Sequence, residues 1–262
     1  MKRKYEEPEK KGYVVDEELL KKIFDLIYRG RVQEAKQLIP KEYRHLPLAL
    51  VDPPGTRYWG DVPLLHYAAM YGHYDIIDYL LDGGANIDLR QLKYEYTPLY
   101  AAASRGRDKC CELLIARGAN INSRSKWGKT PLSIALYNNH ESTGKMLIRR
   151  GADINTREYD GWTPLHNAVY WHHASVVKLL LLGVRVDIKD RTGRKGGTLL
   201  DLAKLDKNDE ILSLLENHMI TEALSGVISR GLVKESPFSD FLVFDKICDA
   251  RLFLIVAKFA YQ

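Results

Sequence analysis

Five short segments of this chain are versions of one another and recur at a nearly constant interval. They are Pro63-Leu-Leu-His-Tyr-Ala-Ala, Thr97-Pro-Leu-Tyr-Ala-Ala-Ala, Thr130-Pro-Leu-Ser-Ile-Ala-Leu, Thr163-Pro-Leu-His-Asn-Ala-Val and Thr198-Leu-Leu-Asp-Leu-Ala-Lys, with steps of 34, 33, 33 and 35 residues. Each leads into an apolar stretch with helical spacing, such as Ile76-Ile-Asp-Tyr-Leu-Leu. Three of those stretches close with Gly-Ala-Asn/Asp-Ile-Asn/Asp, beginning at Gly84, Gly118 and Gly151. A period of this size means one supersecondary unit used repeatedly, because a unit this small has an apolar face that only a neighbouring copy can bury.

The residue types fit the places they occupy. Thr97, Thr130 and Thr163 stand where a helix begins, and a hydroxyl there accepts an otherwise orphaned backbone N–H. Pro98, Pro131 and Pro164 follow at the first helical position, where no N–H is needed. Small alanines after them let two helices approach closely. Gly84, Gly118 and Gly151 suit the left-handed residue that ends a second helix. The pattern resembles the ankyrin-repeat family over roughly residues 16 to 217. The resemblance implies an all-α solenoid of stacked helix-turn-helix units joined by β-hairpin loops, with a helical C-terminal extension. Residues 1–15 form a charged tail and 218–262 the extension. Between them lie an N-terminal cap, four internal repeats and a C-terminal cap.

Several positions depart from the pattern. Pro63 takes the place of the capping Thr, so that helix start lacks a hydroxyl. Asn139 and His172 replace the glycine between the two helices of their repeats. The Leu179 to Gly183 segment is one residue short, and extra residues near Arg194 predict a longer, basic hairpin tip. The first connection is long, with the step from Gly30 to Gly72 reaching 42 residues. The additional residues fall between Pro40 and Trp59, as a functional loop or a tolerated insertion.

The resemblance also implies a working surface. Ankyrin proteins bind partners on a concave face made of the hairpin tips and the exposed ends of the first helices. Here the helix positions are Met70-Tyr71, Ser104-Arg105, Tyr137-Asn138 and Tyr170-Trp171. All four tryptophans of the chain, Trp59, Trp127, Trp162 and Trp171, fall on this face. The expected partner-binding set is Trp59, Tyr71, Tyr94, Tyr96, Arg105, Lys126, Trp127, Lys129, Tyr137, Tyr159, Trp162, Tyr170 and Trp171. Such aromatics bury much area with few rotors and dominate interfaces. They could equally pack on neighbouring tips and stiffen the array. With Lys126, Lys129 and Arg105 among them, the face suits an extended or helical protein segment bearing acidic residues. A net charge of +5 interspersed with Glu95, Glu158 and Asp160 argues against nucleic acid.

No catalytic, cofactor or metal chemistry is expected. His66 and His166 fill the motif histidine, expected to bond between repeats, and His73, His140 and His173 fill the loop between helices. Cys110 and Cys111 fall on the apolar side of a second helix, as buried thiols. Three cysteines make no disulfide framework and suit a reducing compartment, cytoplasmic or nuclear. No apolar run is long enough to span a bilayer, and a monomer is expected. Asn122 and Asn155 each follow a leucine by eight residues, a context resembling hydroxylated ankyrin asparagines, though unmodified hairpin asparagines are the favoured reading. From Phe238 to Tyr261 the apolar spacing predicts an amphipathic helix. It would either cover the last repeat or recruit a second protein. In the latter case the chain is a substrate adaptor for a ubiquitin ligase, such as a pathogen effector acting on host proteins.

Overall fold

The protein is described by a computed structural model covering residues 17–41, 44, 49–51, 61–183, 198–205 and 208–229. It divides into two compact units, Met1–Val176 and Val177–Gln262. Trp59, the long tip around Arg194, Cys248 and the apolar tail from Phe238 lie outside the described residues.

In the first unit, α1 (Glu17–Tyr28) and α2 (Val32–Leu38) form the opening helix pair. Then come α3 (Leu64–Tyr71) with α4 (Tyr74–Asp82), α5 (Pro98–Ala103) with α6 (Asp108–Ala116), and α7 (Pro131–Tyr137) with α8 (Glu141–Arg149). After α9 (Pro164–Tyr170), helix α10 (Ala174–Gly183) crosses from the first unit into the second. First helices stack in one layer, α1–α3–α5–α7–α9, and second helices in another, α2–α4–α6–α8. The fold is the helical repeat array that the period requires.

Helix starts follow the sequence. Thr97 Oγ1 accepts from the Tyr100 N–H at 3.4 Å, and Thr130 Oγ1 from Ser133 at 3.2 Å. The Thr163 N–H donates to Nδ1 of His166 at 3.2 Å, so this motif histidine completes the cap of its own helix. Pro63 makes no side-chain cap, as expected. Instead, its strand anchors the helix. β1 (Ala49–Val51) and β2 (Asp61–Pro63) pair antiparallel, Ala49 opposite Pro63 and Val51 opposite Asp61. The long first connection therefore includes the arms of a hairpin. Beside it, the Arg44 guanidinium lies 4.7 Å from the centre of the Tyr79 ring on α4. The Arg44 Cβ lies 2.2 Å from where a Cβ on Gly83 would be, so a side chain at 83 would clash with it.

The core is aliphatic with one aromatic end. Ile76, Ile77, Leu99, Leu114, Leu132 and Leu147 are fully buried. At the first repeat, Phe24, Tyr67 and Tyr71 stack in sequence, with ring centroids 4.8 and 4.6 Å apart. Tyr67 is fully enclosed where later repeats have Ala101, Ile134 and Asn167. Gly144 lies inside α8, normally a cost of about 1 kcal/mol against alanine. Here a Cβ would come within 2.5 Å of Leu136, so glycine sets the spacing of α7 and α8.

Polar ladders join one repeat to the next. Side chains of Arg107 and His140 each bond a carbonyl at the end of the preceding first helix, Arg107 Nε donating to Met70 and His140 Nε2 to Ser104, both at 3.2 Å. His66 Nε2 donates to the Tyr96 carbonyl of the next tip at 3.0 Å, the expected bond between repeats. In the turns, Asp88 Oδ1 accepts from Asn120 and Asn122 Oδ1 from Asp153, at 3.0 and 2.8 Å. Outside the second helices, Arg117 pairs with Asp78 and Asp82, and Arg150 with Glu112 one repeat later. Cys110 and Cys111 are buried free thiols whose pKa values burial raises, that of Cys110 to about 11.

In the second unit, α11 (Leu199–Leu205) packs on α12 (Asp209–Ser229) through buried Leu199, Ala203, Ile211 and Leu215. Thr198 and Asp201 form a reciprocal cap, the Thr198 N–H donating to Asp201 at 2.8 Å and the Asp201 N–H to Thr198 Oγ1 at 3.2 Å. Helix α12 continues unbroken past residue 217 to Ser229. Among the described residues no helix is long and apolar enough to cross a membrane.

Two stability predictions follow from these contacts. Burial lowers the His66 pKa from 6.5 to about 4, and His73 and His173 are lowered for the same reason. A histidine buried neutral stabilises fully above its unfolded pKa. That stability is withdrawn as pH falls through the window between the two values. His66 alone should cost about 3 kcal/mol between pH 6.5 and 4. Urea titrations over that range should show the loss, and His66→Gln should flatten it. Second, Asn139 and His172 adopt φ values of 64° and 59°, a region disfavoured for residues with a Cβ. Asn139→Gly with His172→Gly should add about 1 kcal/mol and raise Tm by a few degrees in calorimetry.

Candidate functional site

The exposed tips and first-helix ends form one continuous surface of the first unit, built on a short backbone ladder. Each tip closes on itself: the Gln91 N–H bonds the Tyr96 carbonyl at 3.0 Å, Ser125 bonds Lys129 at 2.9 Å, and Glu158 bonds Trp162 at 2.8 Å. The second and third tips each also bond the one before. The Lys126 N–H donates to Tyr94 at 2.9 Å and the Tyr159 N–H to Trp127 at 3.2 Å. The rings on these tips are therefore held at fixed spacing by main-chain bonds, whatever side chains stand there.

On that frame the expected residues fall into two groups. Trp127, Tyr137, Tyr159, Tyr170 and Trp171 are the outward rings, with Trp127 48% and Tyr159 73% exposed. Lys126 and Arg105 are exposed beside them, and Tyr71 and Tyr94 are half-buried. Trp162 is half-buried too, and its indole Nε1 is buried without an acceptor among the described residues. Tyr96 departs from the expectation. It is only 3% exposed, its ring stacked on Tyr100 at 5.6 Å and edge-on to His66 at 5.4 Å. Its place is in the core, under the Tyr96 carbonyl that His66 holds. Met70 and Ser104 are buried as well, so in the first two repeats only the second residue of each helix-end pair faces outward.

Lys129 also differs from the expected open cation. Its ammonium sits 3.7 Å from the centre of the Tyr137 ring and 3.0 Å from Glu158 Oε2. The Glu158 side chain is 2% exposed and also accepts from Asn167 Nδ2 at 2.9 Å. Lysine, glutamate and asparagine thus make a closed polar cluster across two repeats. A pair this enclosed interacts strongly and is costly to break from one side. The sequence pattern gave no warning of the ion pair, because Lys129 and Glu158 meet only when adjacent repeats stack. Lysine and glutamate cancel there, so Lys129 adds no net charge to the face.

Several rings have cations of the chain upon them. Lys93 lies 5.0 Å from the Tyr94 ring and Arg124 5.7 Å from Tyr159, while Tyr94 and Trp127 stack at 5.2 Å. Arg124 also donates to the Arg157 carbonyl. The packing of tip on tip foreseen for the aromatics therefore holds for Tyr94 and Trp127, yet leaves nearly half of Trp127 open. His166 caps α9, and His173 is buried with Nδ1 3.8 Å from Glu141. What this surface offers is shape, aromatic area and a few cations.

The family described as "Ankyrin repeats (3 copies)" matches residues 28–125 and again 99–190. Among curated proteins, mouse diacylglycerol kinase iota is 38% identical over 72 residues, 27% of this chain and 7% of the kinase. A Caenorhabditis elegans homologue of transient receptor potential cation channel subfamily A member 1 is 41% identical over 61 residues, 23% of this chain and 5% of the channel. Alpha-latrocrustotoxin-Lt1a of Latrodectus tredecimguttatus is 39% identical over 72 residues, 27% of this chain and 5% of the toxin. The matched segments span less than a tenth of each relative.

Lys129→Met should lose about 3 kcal/mol of stability, since it leaves the Glu158 carboxylate buried and unpaired. Adding Glu158→Gln should restore most of it. A double-mutant cycle in guanidinium denaturation measures both.

Proposed function

Because the chain belongs to the ankyrin-repeat family, a fold whose repeats mediate protein–protein interaction, we propose that it is a binding scaffold for a protein segment. The partner lies across the hairpin tips and first-helix ends of the first unit. The observation that supports this is the run of outward rings, Trp127, Tyr137, Tyr159, Tyr170 and Trp171, on a surface whose core is otherwise aliphatic. Small or polar residues stand at register positions of these rings in other repeats, Ser104 for Tyr137 and Tyr170, Asn138 for Trp171, Asp160 for Trp127 and Lys126 for Tyr159. Large, stiff, amphipathic side chains held on a rigid frame are the residues that carry interface energy.

The segment is extended or helical, with acidic residues meeting Arg105 and Lys126, and the array spans residues 16–217. No chemistry on the substrate is involved. The kinase, channel and toxin activities in the relatives' names belong to proteins of which this chain matches only a repeat segment. The adaptor alternative rests on residues 218–262, of which only 218–229 are described, and nothing on the array favours it. Placement in the cytoplasm or nucleus, as a monomer, follows from the same reading.

Selection of a displayed peptide library on the full chain tests the reading. Selected peptides should bind the unmodified protein and lose about 30-fold or more in affinity with Trp127→Ala plus Trp171→Ala. Helical circular dichroism and Tm should stay within the small range of surface changes. If the substitutions unfold the array instead, the rings are structural and the proposal fails.

A further inference from the structure

We propose that the bound segment is extended and carries an acidic side chain three residues after an apolar one, with Tyr28 and Tyr71 receiving the apolar side chain and Arg105 the acidic one. This rests on the scaffold reading and specifies the partner's motif. It also adds Tyr28 to the surface.

One register position runs along the ends of the first helices. Tyr71, Arg105, Asn138 and Trp171 occupy it in four successive repeats, at steps of 34, 33 and 33 residues. Tyr71 is half-buried and the other three are exposed. The row therefore has an aromatic ring at each end, a cation second and an amide third. Asn138 Nδ2 donates to the Ser104 carbonyl at 2.8 Å, which fixes the amide in place.

The opening helix pair enlarges the first contact of the row. Tyr28 is the last residue of α1 and is 49% exposed. Its ring stands edge-on to Tyr71, with centroids 5.4 Å apart at 80°. Tyr71 rests in turn on Tyr67, and Tyr67 on Phe24. The outward ring at this end is thus seated on an aromatic stack that reaches the core. Rings held in this way offer a large apolar area that costs little to order. The sequence pattern did not mark Tyr28, because the opening pair lacks the repeat motif.

The surroundings of this anchor are positive. Arg105 and Arg107 both lie close enough for their charge to act on the Tyr71 phenol. Arg107 is held there by its Nε, which donates to the Met70 carbonyl at 3.2 Å. Asp25, the carboxylate that acts on Tyr67, is paired with Arg29 at 2.9 Å. A carboxylate entering beside the Tyr28 and Tyr71 rings therefore meets guanidinium charge, which complements it in sign and geometry.

The spacing of the row selects the form of the segment. First helices stack α1–α3–α5–α7–α9, and packed helices lie about 8–10 Å apart. An extended chain of polyproline type has about three residues per turn and rises about 3.1 Å per residue, so every third side chain lies on one face about 9 Å further on. Such a chain advances one repeat for each of its turns. Side chains i, i+3 and i+9 then meet Tyr28 with Tyr71, Arg105, and Trp171. A helical segment would need steps of seven residues, about 10.5 Å, and so a different motif.

Peptides selected from a random displayed library on the full chain test this. Aligned, they should carry an acidic residue three positions after an apolar one. Replacing that acid with lysine should weaken binding to the unmodified chain about tenfold or more. Arg105→Glu should reverse the order and prefer the lysine peptide, an exchange that a merely structural arginine would not produce. Tyr28→Ser should weaken binding about tenfold with Tm unchanged. If Tyr28→Ser unfolds the opening pair, the ring is structural and that contact is overturned, while the Arg105 exchange still decides the acidic one. Seven-residue spacing, or an acid indifferent to Arg105→Glu, overturns the proposal. Where such peptides still lose affinity with Trp127→Ala plus Trp171→Ala, the scaffold reading stands without this motif. Where they do not, the scaffold reading fails as well.

Discussion

A helix pair of this length cannot stand by itself, and in the middle of the array each pair is fixed to the one before it by a side-chain hydrogen bond to a helix-end carbonyl. Arg107 and His140 supply it, reaching back to Met70 and Ser104. Carbonyls at a helix C-terminus have no partner within the helix, and stacking the next repeat satisfies them. The same act buries the apolar faces of Ile76, Leu114 and Leu147. Register, burial and backbone satisfaction are thus settled together. A repeat out of step would lose all three, which is why the interval between motifs varies so little.

That coupling explains what could be read from the sequence. Thr97 and Thr130 cap helices because a hydroxyl before proline is a local signal, complete within four residues. The positive φ at Asn139 and His172 was legible for the same reason, since the period placed them where Gly72 and Gly106 stand. The hairpin arms at Ala49–Val51 and Asp61–Pro63 were not, because their pairing lies in an insertion that has no counterpart to be aligned with. Nor was the enclosure of Tyr96, whose tip position marks it as a surface ring. Whether a tip side chain turns outward or inward depends on what the neighbouring tip leaves uncovered. For Tyr96 that space lies between His66 and Tyr100.

The candidate site shows the same limit more sharply. Position and residue type identified the outward rings, since Trp127 and Trp171 are large where packing needs nothing large. They did not identify Lys129 as a buried partner of Glu158, because the carboxylate comes from the next repeat. A one-dimensional pattern ranks residues by place within a repeat. Charge neutralisation occurs between repeats, so a face that reads as basic along the chain has fewer open cations once the array is stacked.

The register therefore separates two things that a single globular core would mix. Backbone ladders, from the Lys126 N–H to Tyr94 and from the Tyr159 N–H to Trp127, hold the tips whatever their side chains are. Val62, Tyr96, Lys129 and Trp162 occupy one register position in four successive repeats. The first two are buried, the third is locked in an ion pair, and the fourth carries a half-buried indole without a hydrogen bond. Substitution at that position changes what the surface presents while leaving the ladder beneath it intact. Affinity can then be altered one repeat at a time, because stability resides in the carbonyl contacts and aliphatic layers. A scaffold built in this way can keep its fold and change its partner.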